Sequence, residues 1–293
     1  MAGFLETRIS SGVPGLDELL GGGYLPGTLV AVVGATGIGK TQLGLQFAYA
    51  GGGQPPGVIL DMTARGDSQN HVAYAQRMFR WSLAEANGDL PVGEQLFQSP
   101  PAGHYMHAFT CGGRRVTRDT MTFEEWQQWQ ADINRRILQT IGFLYGHFVH
   151  GVRRVVVDGI EPVERPADSI QFYLFDYVYH QIVRKDPQWV ARDLFRERYW
   201  ALHQHVQEHT YEPTSITCVL LITAQHGMLD DLITRPLDEG DFLANAATLI
   251  YMGKFRDGTR LRRALYIAKH RGSACSDALI PYQITDRGIV IEQ

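Results

Sequence analysis

The segment Gly34-Ala35-Thr36-Gly37-Ile38-Gly39-Lys40-Thr41 constrains this chain more than any other, because it fits G-x-x-x-x-G-K-S/T without mismatch. Residues 28–33 before it read TLVAVV, a short β-rich apolar run, and from residue 39 onward the apolar residues take up helical spacing. Strand, glycine loop and helix in that order make a phosphate site. Glycines let successive backbone N–H groups turn inward, and the helix start adds the positive end of its dipole. Gly34, Thr36, Gly37, Ile38, Gly39, Lys40, Thr41 and Gln42 are therefore the expected nucleotide cradle. Lys40 is expected to reach the β and γ phosphates of ATP, and Thr41 to ligate Mg²⁺ through its hydroxyl.

The rest of the chain supplies strands and helices in alternation. A second apolar strand covers 58–62 and a helix about 70–86, and the spans 105–110 and 114–118 flank Cys111-Gly112-Gly113 like a hairpin. Thr122 and Glu125 form a capping-box signature for a long helix reaching about residue 148. The stretch from about 65 to 150 reads as a partly helical insertion. Beyond it come a strand at 154–158, aromatic-rich helices over 167–209, a strand at 216–223, and closing strands at 248–255, 265–269 and near 282–291. This order predicts one α/β domain over residues 1–293, a mostly parallel sheet flanked by helices with antiparallel edge strands.

Asp158 ends the apolar run Val155-Val156-Val157, where a carboxylate can hold the metal beside the phosphate loop, so Thr41 and Asp158 are the expected Mg²⁺ ligands. With 27 basic against 31 acidic residues, no global field draws the chain to nucleic acid or anionic lipid. No apolar run approaches a membrane span. Cys111, Cys218 and Cys275 are scattered and odd in number, which suits a reducing cytoplasm. His104, His107 and Cys111 lack a fourth ligand at zinc-like spacing, and a polar hairpin accounts for them. Phe172, Tyr173, Phe175, Tyr177 and Tyr179 read as a packing helix, and His203, His205 and His209 as solvated side chains of an exposed helix.

The stretch ISSGVPGLDELLGGG at 9–23 resembles the opening of the KaiC/RecA-like ATPases, and Lys269-His270-Arg271-Gly272-Ser273 with YQITDRGI at 282–289 resembles their closing strands, those of the KaiC branch above all. The resemblance implies a RecA-like fold and a homo-oligomer, a hexameric ring or helical filament, with nucleotide at its subunit interfaces. It implies that Lys269 and Arg271 reach the neighbour's γ-phosphate as a finger supplied in trans, although a Lys-x-Arg on a strand edge also discourages aggregation. Gln225 would take the place of a polar sensor, although a glutamine after a strand is more often a plain loop residue.

Two departures matter. Relatives end the second strand in glutamates that activate the attacking water, where this chain has Thr63 and Ala64. A hydroxyl is no general base near neutral pH. Two acids stand to replace the missing carboxylate, Asp61 on the strand face of Thr63 and Glu161 on the loop leaving Asp158, and Gly159 stands where other ATPase classes carry a second acid. Moreover, the loop after the sensor strand holds Asp230, Asp231, Asp238, Glu239 and Asp241 against Arg235, which argues against threading DNA. The expectation is a slow ATPase that controls its own assembly or signalling. The alternatives are a non-hydrolysing protein with ATP as interface glue, and a recombination or repair accessory ATPase.

Overall fold

The computed structural model describes residues 8–51, 55–63, 70–86, 93–108, 121–161, 169–234 and 241–292. Its strands are β1 (Leu29–Gly34), β2 (Val58–Asp61), β3 (Tyr105–His107), β4 (Arg154–Ile160), β5 (Thr217–Thr223), β6 (Thr248–Asp257), β7 (Arg260–His270), β8 (Ile280–Thr285) and β9 (Gly288–Ile291). They lie side by side in the order β3-β2-β4-β5-β1-β6-β7-β8-β9. The pairs from β3 to β6 are parallel, and β6-β7-β8-β9 closes the sheet antiparallel.

Every residue of β1 is buried, as a strand covered on both faces requires. Side-chain alternation sends its residues to two different cores. Leu29, Ala31 and Val33 join Leu60, Val155 and Val157 under α5 (Phe123–Val149), α6 (Ile170–Val178), α7 (Pro187–Phe195) and α8 (Tyr199–Glu208). Val30 and Val32 join Ile59 and Val156 beneath α1 (Leu16–Leu19), α2 (Lys40–Tyr49), α3 (His71–Phe79) and the β8–β9 hairpin. Three short α-helices, α4 (Gln95–Gln98), α9 (Leu229–Thr234) and α10 (Asp241–Asn245), stand beside a π-helical turn at Tyr179–Val183 and 3₁₀ turns at Arg196–Arg198 and Pro213–Ser215. The capping box at the start of α5 forms, the Thr122 side chain accepting from Glu125 N and the Glu125 side chain from Thr122 N.

Three local expectations change. The helix expected over 70–86 stops at Phe79, because Arg80 turns left-handed (φ 55°) and the N–H of Trp81 reaches back to Ala75 O at 3.3 Å. Trp81 and Leu83 are then buried in the core, and the chain leads to a bridge between Glu85 and Tyr105. Second, 105–107 joins the main sheet: Tyr105 and His107 pair in parallel with Ile59 and Asp61 as the outermost strand among the described residues. The other arm, 114–118, and Cys111 lie outside the described residues. Third, β6 and β7 pair along a longer stretch than their apolar segments alone suggest, from Thr248↔His270 to Asp257↔Arg260.

Candidate functional site

β1 lies between β5 and β6, so its carboxyl end opens a crevice where ligands of open α/β sheets bind. The phosphate loop leaves β1 here with Gly37 and Gly39 at φ +74° and +111°, conformations that glycine adopts without strain. A Cβ on Gly34 would come within 2.4 Å of Met252 O, so the loop's first glycine is also required by the close approach of β6. The closing hairpin braces the loop from outside. Tyr282 Oη donates to Ile38 O at 2.6 Å, and Gln46 of α2 exchanges two hydrogen bonds with Ile289 of β9, at 2.6 and 2.9 Å. Ile284 and Ile289 would meet a Cβ on Gly39 at 3.1 and 3.2 Å.

Lys40 is 6% exposed, and its Nζ donates to the carbonyls of Gly34 and Ala35 at 2.9 and 3.0 Å. Burial lowers its pKa to about 8, with the charge of Asp158 acting the other way. Thr41 Oγ1 donates to Asp158 Oδ2 at 2.8 Å across 117 residues of chain. The second oxygen, Oδ1 of Asp158, is buried with no hydrogen-bond partner among the described residues. A buried carboxylate oxygen left without a donor beside a threonine hydroxyl fits a hard divalent cation.

The register of β2 and β4 sets Asp61 directly beside Asp158. His71, in the first turn of α3, lies between the two carboxylates. Its Nε2–H donates to Asp158 Oδ2 at 3.0 Å, and its Nδ1 is 3.6 Å from Asp61 Oδ2. That Asp61 oxygen accepts from Tyr105 Oη at 2.7 Å and lies 3.7 Å from His107 Nδ1, while Asp61 Oδ1 accepts from Thr63 N at 2.8 Å. Burial alone would lower the pKa of His71, but the hydrogen bond and charge of Asp158, with the charge of Asp61, outweigh it and raise the pKa. Sequence reasoning missed His71. The available signal was Asn70, whose side chain caps α3 by accepting from Ala73 N and so brings residue 71 into the first turn after β2.

His71, Asp61 and Asp158 are each at most 2% exposed, so removing the imidazole leaves two buried carboxylates facing each other. His71→Ala is expected to cost about 3 kcal/mol or more in urea unfolding, the usual result of breaking a buried charged pair. A loss below about 1 kcal/mol, the scale of an exposed pair, would show that His71 does not hold these carboxylates together.

The structure brings some predicted residues together and separates others. Lys40, Thr41 and Asp158 converge at the carboxyl end of the sheet. Gln225 follows β5 on the same side, exposed, just beyond the bond from Ala224 N to Gly34 O. Lys269 and Arg271 stand together at the opposite end, where Leu249 pairs with Lys269 and Thr248 with Val30, and both donate to Ala244 O. Their own phosphate loop is at the carboxyl end of β1, the other end of the strands. Thr63 is 4% exposed, and its Cγ2 would lie 2.4 Å from a Cβ on Gly159, which itself has φ +93°. That contact keeps any side chain, an acid included, out of position 159. Asp230 and Asp231 stand on α9 rather than in a loop, while Ala64, Arg65, Arg235, Asp238 and Glu239 lie outside the described residues. No helix among the described residues is long and apolar enough to cross a membrane.

The family model described as "ATPase: KaiC" matches residues 9–90. The chain is 58% identical over 42 residues to the circadian clock oscillator protein KaiC of Prochlorococcus marinus (strain MIT 9313), a match covering 14% of this chain and 8% of that protein. It is 47% identical over 55 residues to the circadian clock oscillator protein KaiC 1 of Synechocystis, covering 19% of this chain and 11% of that one. These matches thus span about a tenth of the relatives' own length. A crystal structure of a KaiC-like protein from the hyperthermophilic archaeon Pyrococcus horikoshii OT3 superposes with a TM-score of 0.50 at 19% identity, covering 98% of this chain and 99% of that one. At that identity the likeness concerns the fold.

Proposed function

We propose that this chain, a KaiC/RecA-like family member with the α/β fold of that group, binds Mg·ATP as a single domain and uses it to control a homo-oligomer, with slow turnover. The observation that carries the reading is the convergence of Lys40, Thr41 and the half-bonded Asp158 at the carboxyl end of β1 and β4. Backbone N–H groups of residues 34–41 and the start of α2 cradle phosphate oxygens, and Lys40 supplies the cation for the β and γ phosphates. A Mg²⁺ held by Thr41 and Asp158 would neutralise charge on those phosphates. His71 keeps Asp158 oriented through its Oδ2, leaving Oδ1 for the ion. Gln225, at the same edge, takes the sensor position.

Slow turnover follows from what surrounds the phosphate site. Asp61 does not compensate for Thr63: it is buried, and both its oxygens already accept hydrogen bonds. The same observation favours a second reading, in which ATP joins subunits without being hydrolysed.

The position of Lys269 and Arg271 at the end of the strands opposite their own phosphate loop supports a role at the nucleotide of a neighbouring copy. In sedimentation velocity, the wild-type chain is expected to assemble when Mg·ATP is added, and the Lys269→Ala/Arg271→Ala double variant to stay smaller. An unchanged ATP-induced oligomer in the double variant would remove the finger role.

A further inference from the structure

The last turn of α8 carries a cluster that the nucleotide site does not use. His205, Glu208 and His209 fall at i, i+3 and i+4, so all three side chains leave one face of the helix. One nitrogen from each imidazole and one carboxylate oxygen lie within 4.8 Å of one another. These histidines are not the freely solvated side chains that the sequence suggests. Both are half-buried, with ring centroids 5.5 Å (His205) and 5.2 Å (His209) from that of the buried Phe97 on α4. Nδ1–H of His209 donates to His205 O at 3.0 Å, which fixes the tautomer and leaves Nε2 as the nitrogen with a free lone pair.

We infer that His205, Glu208 and His209 form a binding site for a first-row divalent transition ion of the Zn²⁺ class. Two imidazoles and one carboxylate suit Zn²⁺, Co²⁺, Ni²⁺ or Cu²⁺ far better than Mg²⁺ or Ca²⁺, which prefer oxygen donors throughout. Two histidines four apart on a helix present their rings to one ion, as helical zinc motifs do. Their position at a helix C-terminus, where unpaired carbonyls concentrate negative charge, favours a cation further. Packing on Phe97 restricts the rings before any ion arrives, which lowers the cost of ordering them.

The site is remote from the phosphate loop. α8 leads into the amino end of β5, where Thr217 pairs with Arg154, whereas Gly34 pairs with Thr223 at the other end. An ion held by these three side chains closes chelate rings within the end of α8, beside Phe97 of α4, and turns its remaining coordination positions to solvent on the side of the exposed Glu208. Its role is to brace the helical layer that covers β4 and β5, independently of nucleotide.

The test is a Zn²⁺ titration of the full chain after chelator treatment, followed by calorimetry. The wild type is expected to bind one ion per chain at this site. His205→Gln and His209→Gln should each weaken it at least about tenfold, since losing even an outer-shell partner of a ligand costs that much. His203→Gln, on another face of the same helix, should leave Zn²⁺ affinity unchanged, and ATP affinity should be the same in all of them. Wild-type Zn²⁺ affinity retained in the His205→Gln/His209→Gln double variant would overturn the assignment. Independently of how the variants fold, ¹⁵N spectra of the wild-type ring nitrogens should show Zn²⁺ shifting His205 and His209. Shifts confined to other histidines would overturn it as well.

Discussion

Lys40→Ala is expected to abolish ATP binding. Its ammonium is the cation that the phosphate loop aims at the β and γ phosphates, and charged hydrogen bonds of this kind contribute about 1.5–3 kcal/mol each. Losing two of them weakens affinity by a factor on the order of 10² to 10⁴. The buried environment strengthens the case. Lys40 is 6% exposed, and its Nζ is already held among the loop carbonyls of Gly34 and Ala35, so it needs little reorganisation to engage phosphate. Alanine also removes the bonds that tie these carbonyls to α2, so circular dichroism and a melting curve must accompany the binding measurement. Titration calorimetry giving equal ATP affinity for a folded Lys40→Ala and the wild type would refute the phosphate-site assignment.

The second large effect is in the wild type itself: steady-state phosphate release is expected to fall about 10²- to 10⁴-fold below that of an enzyme with a positioned base. On the general enzyme scale, with a median near 10 s⁻¹, that places turnover below about 0.1 s⁻¹. From sequence alone, Thr63→Glu would be expected to restore the missing acid. The structure changes that expectation. Thr63 is buried against Gly159, and a carboxylate there would sit near Asp61 and Asp158, which raises its pKa and costs packing. The expected gain from Thr63→Glu is therefore small, with a loss of stability. Wild-type turnover of about 1 s⁻¹ or more would mean that another group, from this chain or a neighbouring subunit, activates the water. No turnover at all would favour the reading of ATP as interface glue.

The middle of the chain, where sequence reasoning was weakest, bears on the second effect through Tyr105, which occupies one oxygen of Asp61. Residues 105–107 look in sequence only like part of a polar hairpin beside a Gly-rich stretch, and their pairing with β2, which places Tyr105 and His107 on Asp61, is not readable there. A three-residue strand carries too little periodicity to be told from a turn arm. The same limit hid the zinc-class cluster. The spacing of His205, Glu208 and His209 is visible in the sequence, but the ring of Phe97 that holds the imidazoles comes from 108 positions upstream of His205.

The sequence by itself determined what contiguous residues encode: the apolar strand, the eight-residue glycine loop and the helix after it, because the phosphate site is a local backbone device. It determined the apolar run that leads to Asp158, though β4 runs on to Ile160, and the capping box at Thr122 for the same reason, each being readable within a few residues. Only the tertiary structure decided which distant groups complete the site. Strand order and register put Asp61 beside Asp158, His71 between them, Tyr282 and Ile289 behind the loop, and Lys269 with Arg271 at the opposite end of the strands. Those juxtapositions arise from pairing strands far apart along the chain, and a one-residue slip in register would turn each side chain to the other face, so no local window contains them.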